Sequence, residues 1–390
     1  MQKQCVVLTL GRLPVALDLA RSFSAMGFRV VVAEPFGMHL CRMSKAVDRS
    51  IRVADPSRDP ERYLDELAAA VLEESAALVV PVSEETLRVA LLKDRLPESV
   101  EVFAADSKTL LQVHDKYRFA KTARELGLDA PLSFLPREGA QIPPEAGSRL
   151  VVKPRHACSG RGVRYVDART IGDAPGSVAA DELVQARIDG REVSSFAVVR
   201  RGRVLALSIY EGTILSGSVA VGFRSIPALP EVSGWVERFV EAVDFTGFVA
   251  FDFIIDGGGR AYAIECNPRA TSGIHFVPTA QLAGLVTSGE AASPGTGGPI
   301  ALTESWSGFT ALLGKLAQPR QFHRVLRELR SARDVTWSRR DPWPFLLMPV
   351  NTAPILWRAL RRRATFAEVA VSDLEWRSGN EEAIEDAPAA

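Results

Sequence analysis

The chain opens with an apolar run at residues 5–10 (CVVLTL), broken at Gly11 and followed over residues 13–26 by apolar positions at helical spacing. After Gly27 a second apolar run, FRVVVAEP, completes a β-α-β pattern. The alternation continues through SIRVAD, an amphipathic stretch over 60–74 with Leu64, Leu67, Ala68 and Val71 on one face, the strand ALVVPV, a helix from Glu85 and the short strand EVFAAD. Strands alternating with helices in this way predict a parallel sheet covered on both faces, in a first module that ends near residue 115. The first turn holds Gly11 alone, without the further glycines that let a backbone approach a pyrophosphate. That disfavours dinucleotide binding and leaves a structural or substrate-binding role for this module.

Beyond Asp115 the pattern changes. A helix over 116–126 leads into a Pro-rich connector over 131–147, then the strand LVVKP and a loop of small residues, and strand signals dominate to about residue 268. The linker GEAASPGTGGP opens a third segment whose helical part carries Lys315, Arg320, Arg324, Arg327, Arg330 and Arg333. Its later part, rich in Trp and Pro and bearing Arg361, Arg362 and Arg363, reads as a lid or dimer contact rather than a membrane-surface helix, because prolines 342, 344, 349 and 354 break the helical period. The last dozen residues, acidic and rich in alanine, read as a disordered tail.

Composition narrows the function classes. With 390 residues, 47% hydrophobic and 24% charged, the chain is long enough for several packed modules. Its 47 basic and 47 acidic residues balance, so no overall charge draws it to nucleic acid or an anionic membrane. No apolar stretch approaches the roughly 20 residues needed to span a bilayer. The four cysteines are widely separated with no CxxC pair, which fits a reducing compartment and argues against a zinc site; a cytoplasmic protein is expected.

The chemistry-bearing stretches lie between 150 and 275. In LVVKPRHACSGRGVRYVD a lysine, Lys153, closes an apolar strand and is followed by Ser159, Gly160, Arg161, Gly162 and Val163. Glycines there let backbone N–H groups fold over phosphate oxygens, with Lys153 as a point charge; a chance glycine hairpin is the plainer alternative, and the Walker A spacing is absent. In GFVAFDFIIDGGGRAYAIECNPRATSGIH, Asp252 lies mid-strand among apolar residues and Glu265 and Asn267 close the next strand. Buried carboxylates are costly unless paired or bound to a cation, so the choice is a hard metal such as magnesium or an ion pair with Arg269. Between these stretches runs QARIDGREVS, a connector on which a nucleotide could lie: its adenine would meet the backbone of Gln185, Ala186, Arg187 and Ile188, and its ribose Glu192.

Lys116 in HDKYRFA, Lys153 in VVKP, the SGRGV loop, the QARIDGREVS connector and Asp252, Glu265, Asn267 and Arg269 in AFDFII and IECNPR together resemble the ATP-grasp family, over roughly residues 1–285. The resemblance implies an α/β and α+β architecture: a Rossmann-like pre-ATP-grasp domain (1–115), a small lid subdomain (116–185), a large subdomain with the metal site (186–290), a C-terminal extension (291–378) and the tail (379–390). It implies that Lys116, Lys153 and the loop hold ATP phosphates, that Asp252, Glu265 and Asn267 bind Mg²⁺ (Mn²⁺ being able to replace it), and that Arg269 with Lys153 is catalytic. Asp252 stands where a Glu is common, and Ala186 where many members have an acidic residue. The acceptor's contacts are expected at Arg224, in a segment where such ligases often hold a carboxylate, and at Ser272 and His275.

The function implied is ATP-dependent C–N ligation of a small-molecule carboxylate to an amine or amino acid through an acyl phosphate, with a homodimer the common expectation for such folds. The C-terminal region has a vaguer likeness to ATP-grasp proteins of secondary metabolism similar to mycosporine-glycine synthetases, which would instead activate an enolised ketone. A third alternative, a nucleotide-binding regulatory module with a dead site, runs against the presence of the whole set Lys153, Asp252, Glu265, Asn267 and Arg269.

Overall fold

The computed structural model describes residues 3–135, 142–156, 162–173, 177–216, 219–290 and 300–362. Three sheets organise them. The first is parallel: β1 (Cys5–Thr9), β2 (Arg29–Glu34), β3 (Arg49–Arg52), β4 (Leu78–Val80) and β5 (Glu101–Val102), in the order β3-β2-β1-β4-β5. Every residue of β1 is buried, as a strand covered by helices on both faces requires, which is why its sequence is continuously apolar rather than alternating. The helix Pro14–Ala25 starts with the proline that its first turn tolerates, and packs against the helix Thr279–Thr287, where Ser22 Oγ accepts from Ala283 N at 2.9 Å.

The second sheet is small and antiparallel: β6 (Ser133–Phe134), β7 (Arg149–Pro154), β8 (Arg164–Asp167) and β9 (Glu182–Ala186), ordered β6-β9-β7-β8 over a satellite core of Leu150, Val152, Ile171 and Val184. The Pro-rich connector expected over 131–147 thus contributes an edge strand, β6, a position where a proline-rich neighbourhood is tolerated.

The third sheet runs β14-β13-β10-β11-β12-β15-β16 and is built from β10 (Gly190–Arg200), β11 (Arg203–Ser216), β12 (Val219–Ser225), β13 (Gly247–Asp256), β14 (Ala261–Asn267), β15 (Ala301–Thr303) and β16 (Arg333–Asp334). The third segment of the chain is therefore no separate layer. Its β15 pairs with β12 and β16 with β15, which removes an otherwise open edge from the sheet. Among the described residues no helix is long and apolar enough to cross a membrane.

One aromatic cluster joins the modules. Trp235 and Phe239, on the helix Pro230–Ala242, stack at 5.0 Å, and Phe251 meets Trp235 edge-on at 5.2 Å. Phe119, on the helix Lys116–Glu125, lies 6.0 Å from Phe251 and 5.3 Å from Phe239. The helix that begins at Lys116 is thereby clamped onto the back of β13. Phe251→Ala should cost about 3–5 kcal/mol by leaving a cavity among four rings; a urea midpoint unchanged by tryptophan fluorescence would contradict this packing account.

Candidate functional site

The site grows from the β13–β14 ladder. Asp252 and Glu265 are direct cross-strand partners, so their side chains share one face, and Asn267 follows two residues on from Glu265 on the same side. A register shift after Asp252 leaves Ile264 outside the pairing, and its freed carbonyl accepts from Lys153 Nζ at 2.9 Å. Ser194 Oγ, from β10, donates to Asp252 Oδ1 at 2.6 Å, and Asn267 Nδ2 lies 3.3 Å from Asp252 Oδ2. Burial, then the neighbouring Glu265 carboxylate, pushes Asp252 up to about 6. Two carboxylates held side by side in this way favour a cation or a proton.

Two lysines supply the opposing charge. Lys116 Nζ stands 3.3 Å from Glu265 Oε1. Its helix is capped by Asp115, which accepts from the N–H groups of Tyr117 and Arg118 and is paired with Arg155, while Lys116 N donates to Arg155 O. The chain just past β7 is thus tied to the start of the Lys116 helix, which holds Lys116 and Lys153 on the same side of the carboxylates. Burial, with the nearby Lys116 adding to it, lowers Lys153 to about 8, against the pull of Glu265 and Asp252.

Arg269 completes the cluster from the turn after β14. Its Nε donates to Glu84 Oε1 at 2.6 Å and its Nη2 to Asn267 Oδ1 at 3.2 Å. Glu84 follows the carboxyl end of β4, so the first module orients the arginine. Sequence reasoning missed Glu84 and Ser194. The available signal for Glu84 was a pair of acids, Glu84 and Glu85, just past a buried parallel strand, the place where α/β sheets carry their ligands; Ser194 gave no signal beyond its spacing from Glu192.

The other expected residues divide. Gln185 is buried and donates from Nε2 to Ser133 Oγ, and the N–H groups of Ala186 and Arg187 are spent on Leu132 O and Arg149 O. The connector's offer of backbone donors is accordingly narrower than expected, and Ile188 N–H has no acceptor among the described residues. Glu192 is exposed on β10, two residues from Ser194, close enough to raise Asp252. Gly162 sits at φ +72°, with Pro154 where a Cβ would go, which suits glycine beside Val163; Ser159, Gly160 and Arg161 lie outside the described residues.

The expectation for Arg224 requires correction. Strand alternation turns Phe223 towards the cavity described next and Arg224 away from it, where Arg224 Nη2 bonds Glu328 Oε2 at 2.6 Å and fastens the helix Pro319–Ser331 to the sheet. Ser272 and His275 do line that cavity, with His275 Nδ1 2.7 Å from Asp18 Oδ2. Asp18 was also missed, although it is a lone acid within the apolar run VALDLA.

The cavity has a volume of about 480 Å³ and opens beside the charged cluster, sharing Asp252, Asn267 and Arg269 with it. Its walls come from the first module (Leu13, Phe36), the third sheet (Phe223) and the C-terminal segment (Leu302, Met348). Lys116, Lys153 and Glu265 stay outside it. The arrangement thus has two compartments meeting at one wall: cationic and acidic groups between the second and third sheets, and a mostly apolar chamber beyond.

Residues 113–273 match the family model of the ATP-grasp domain. The chain has the ATP-grasp fold over this stretch. It is 25% identical over 218 residues, 49% of its length, to the arginine-specific large chain of carbamoyl phosphate synthase from Oryza sativa subsp. japonica; the matched stretch spans only 18% of that relative. The biotin carboxylase domain of Hydrogenobacter thermophilus 2-oxoglutarate carboxylase, solved with MgADP and bicarbonate, superposes with TM-score 0.62 at 16% identity, over 78% of this chain and 75% of that one. The L-amino acid ligase of Bacillus licheniformis superposes with TM-score 0.54 at 18% identity, over 71% and 70%. These likenesses show the ATP-grasp fold, and the matched region contains every member of the Lys116–Arg269 cluster.

Removing the Glu265 charge in Glu265→Gln should let Asp252 ionise at lower pH than in the parent protein. Carboxyl-carbon NMR of labelled aspartate reads this directly, and an unmoved titration would show that the two carboxylates do not feel each other.

Proposed function

We propose that the protein is an ATP-dependent carboxylate–amine ligase, which activates a small-molecule acid as its acyl phosphate and lets an amine displace phosphate. The observation carrying this reading is the junction: Asp252, Asn267 and Arg269 line the cavity, while Glu265, opposite Asp252 on the ladder, pairs with Lys116, and the neighbouring Ile264 carbonyl takes Lys153. A phosphoryl group held in the first compartment would face a carboxylate held in the second.

The residues fit magnesium. Among the described residues no group of three or more His, Cys, Asp or Glu gathers to cage a metal. Mg²⁺ is ordinarily held by one or two carboxylates together with substrate phosphates, and Asp252 and Glu265, with the Asn267 oxygen, are that partial set. The raised Asp252 supports the same point, since burial and the like-charged Glu265 beside it leave the pair short of compensating positive charge. When bound, the ion would neutralise phosphate charge and polarise the transferring group.

The chain's own groups would do the rest. Lys116 and Lys153 would hold the phosphate oxygens, with Ile188 N–H and the exposed Glu192 placed for the adenine and ribose. A carboxylate resists an amine because its leaving group would be an oxide; phosphorylation supplies a good one. Arg269, fixed by Glu84, would stabilise charge on the transferring phosphoryl and then on the tetrahedral adduct. The enclosing cavity would keep water from the labile acyl phosphate. The carbamoyl phosphate synthase and L-amino acid ligase likenesses support this class of chemistry.

ADP and phosphate should appear only when acid and amine are both present; AMP as product would overturn the reading. Glu265→Ala should lower turnover by about 100-fold or more with an unchanged melting curve, in the range typical for removing one electrostatic stabiliser. Activity should also need Asp252 ionised and Lys153 charged. For the free enzyme, kcat/KM should therefore rise with pH through about 6 and fall through about 8. Lys153→Arg should push the alkaline limb upward, and a flat profile between pH 5 and 9 would reject the assignment of both groups.

A further inference from the structure

Most of the cavity lies away from the charged wall, and its lining there is largely apolar, interrupted by Arg12, His39, Glu304, Ser307 and Thr352. Leu13 and Phe36 face it from the first module, Phe223 from the third sheet, and Leu302, Val335 and Met348 from the C-terminal segment. At about 480 Å³ it falls within the size range of pockets that bury drug-sized ligands, whereas an acid of a few carbons would leave these side chains against water. Burying apolar surface is what such walls reward.

A second observation comes from the same segment. Asn351, on the helix Met348–Arg362, lines the cavity and is only 6% exposed, yet among the described residues neither its Oδ1 nor its Nδ2 has a hydrogen-bond partner. Buried polar side chains almost always find partners, so a carboxamide left without one among the described residues, in the wall of a ligand-sized chamber, suits a bound molecule. A carboxamide donates and accepts at once and carries no charge, so its complement is a neutral group that does the same.

Building on the ligase reading, we propose that the acid substrate is bulky and largely apolar, of aromatic or polycyclic size, and bears a neutral hydroxyl or carboxamide besides its reacting carboxylate. Asn351 reads that group, and Val335 and Met348 set the size limit. The segment after residue 300 is thus the specificity wall of the active site.

The test measures ADP release by the full chain with Mg²⁺, ATP and a fixed amine, using short aliphatic acids, two-ring aromatic acids, and the same aromatic acids bearing a hydroxyl or carboxamide. Aromatic acids should exceed short ones in kcat/KM by about 100-fold, since each methylene matched to an apolar pocket is worth roughly 10-fold or more. Met348→Trp, or the milder Val335→Phe should the first not fold, should cut that ratio at least about 10-fold. Asn351→Leu should raise KM for the substituted acids and spare their unsubstituted parents. A preference for short acids, a ratio unmoved by either filling variant, or equal losses on both acid types in Asn351→Leu would overturn the proposal. Calorimetric binding of the same acids separates the two readings. Binding that weakens in Met348→Trp without any ADP release would keep the pocket assignment and discard the ligase reading, while absence of both would discard both.

Discussion

Two carboxylates placed face to face on adjacent strands, Asp252 and Glu265, are the constraint from which the site follows. Burial, and then the Glu265 charge beside it, make Asp252 harder to ionise. The β13–β14 ladder fixes their separation, so the repulsion cannot relax by moving them apart. It is answered by positive charge brought from elsewhere: Lys116 beside Glu265, Lys153 anchored on the bulged Ile264 carbonyl, and Arg269 beyond Asn267. The aromatic clamp of Phe119 on Phe251 matters for the same reason, since it seats the Lys116 helix on the strand that carries Asp252.

Much of this was legible in the sequence because it is carried by local pattern. Apolar runs closed by a lysine, or interrupted by a single acid, mark strands whose polar residue has a task, and Lys153, Asp252 and Glu265 are all of that kind. The β-α-β alternation likewise follows from periodicity alone. What was not legible depends on chain segments meeting in space. Glu84 reaches Arg269 across 185 positions and Asp18 reaches His275 across 257. No local window encodes such meetings.

Arg224 shows the opposite error. Its residue type suited a carboxylate, and its segment was the right one, but strand alternation decides which of two neighbours enters a cavity. Phe223 does, and Arg224 is left to an ion pair with Glu328 on the far side. The same pairing explains why the C-terminal segment joins the sheet instead of forming a separate layer: β15 satisfies the β12 edge, and Glu328 satisfies the arginine beside it.

The Arg269–Glu84 pair has a cost and a use. Nearly buried ion pairs seldom add net stability, because desolvating both charges offsets their attraction. Here two of the arginine's four remaining N–H groups go to Asn267 Oδ1 and Ala270 O, which holds the group in one orientation. What the pair contributes is registry: it ties the guanidinium to the end of a strand in the first module while Asn267 ties it to the third sheet. On the proposed reading, a group that acts on a phosphoryl on one side and an acyl carbon on the other has to sit where the two compartments meet. Neither module alone defines that place, which is why the anchor spans both.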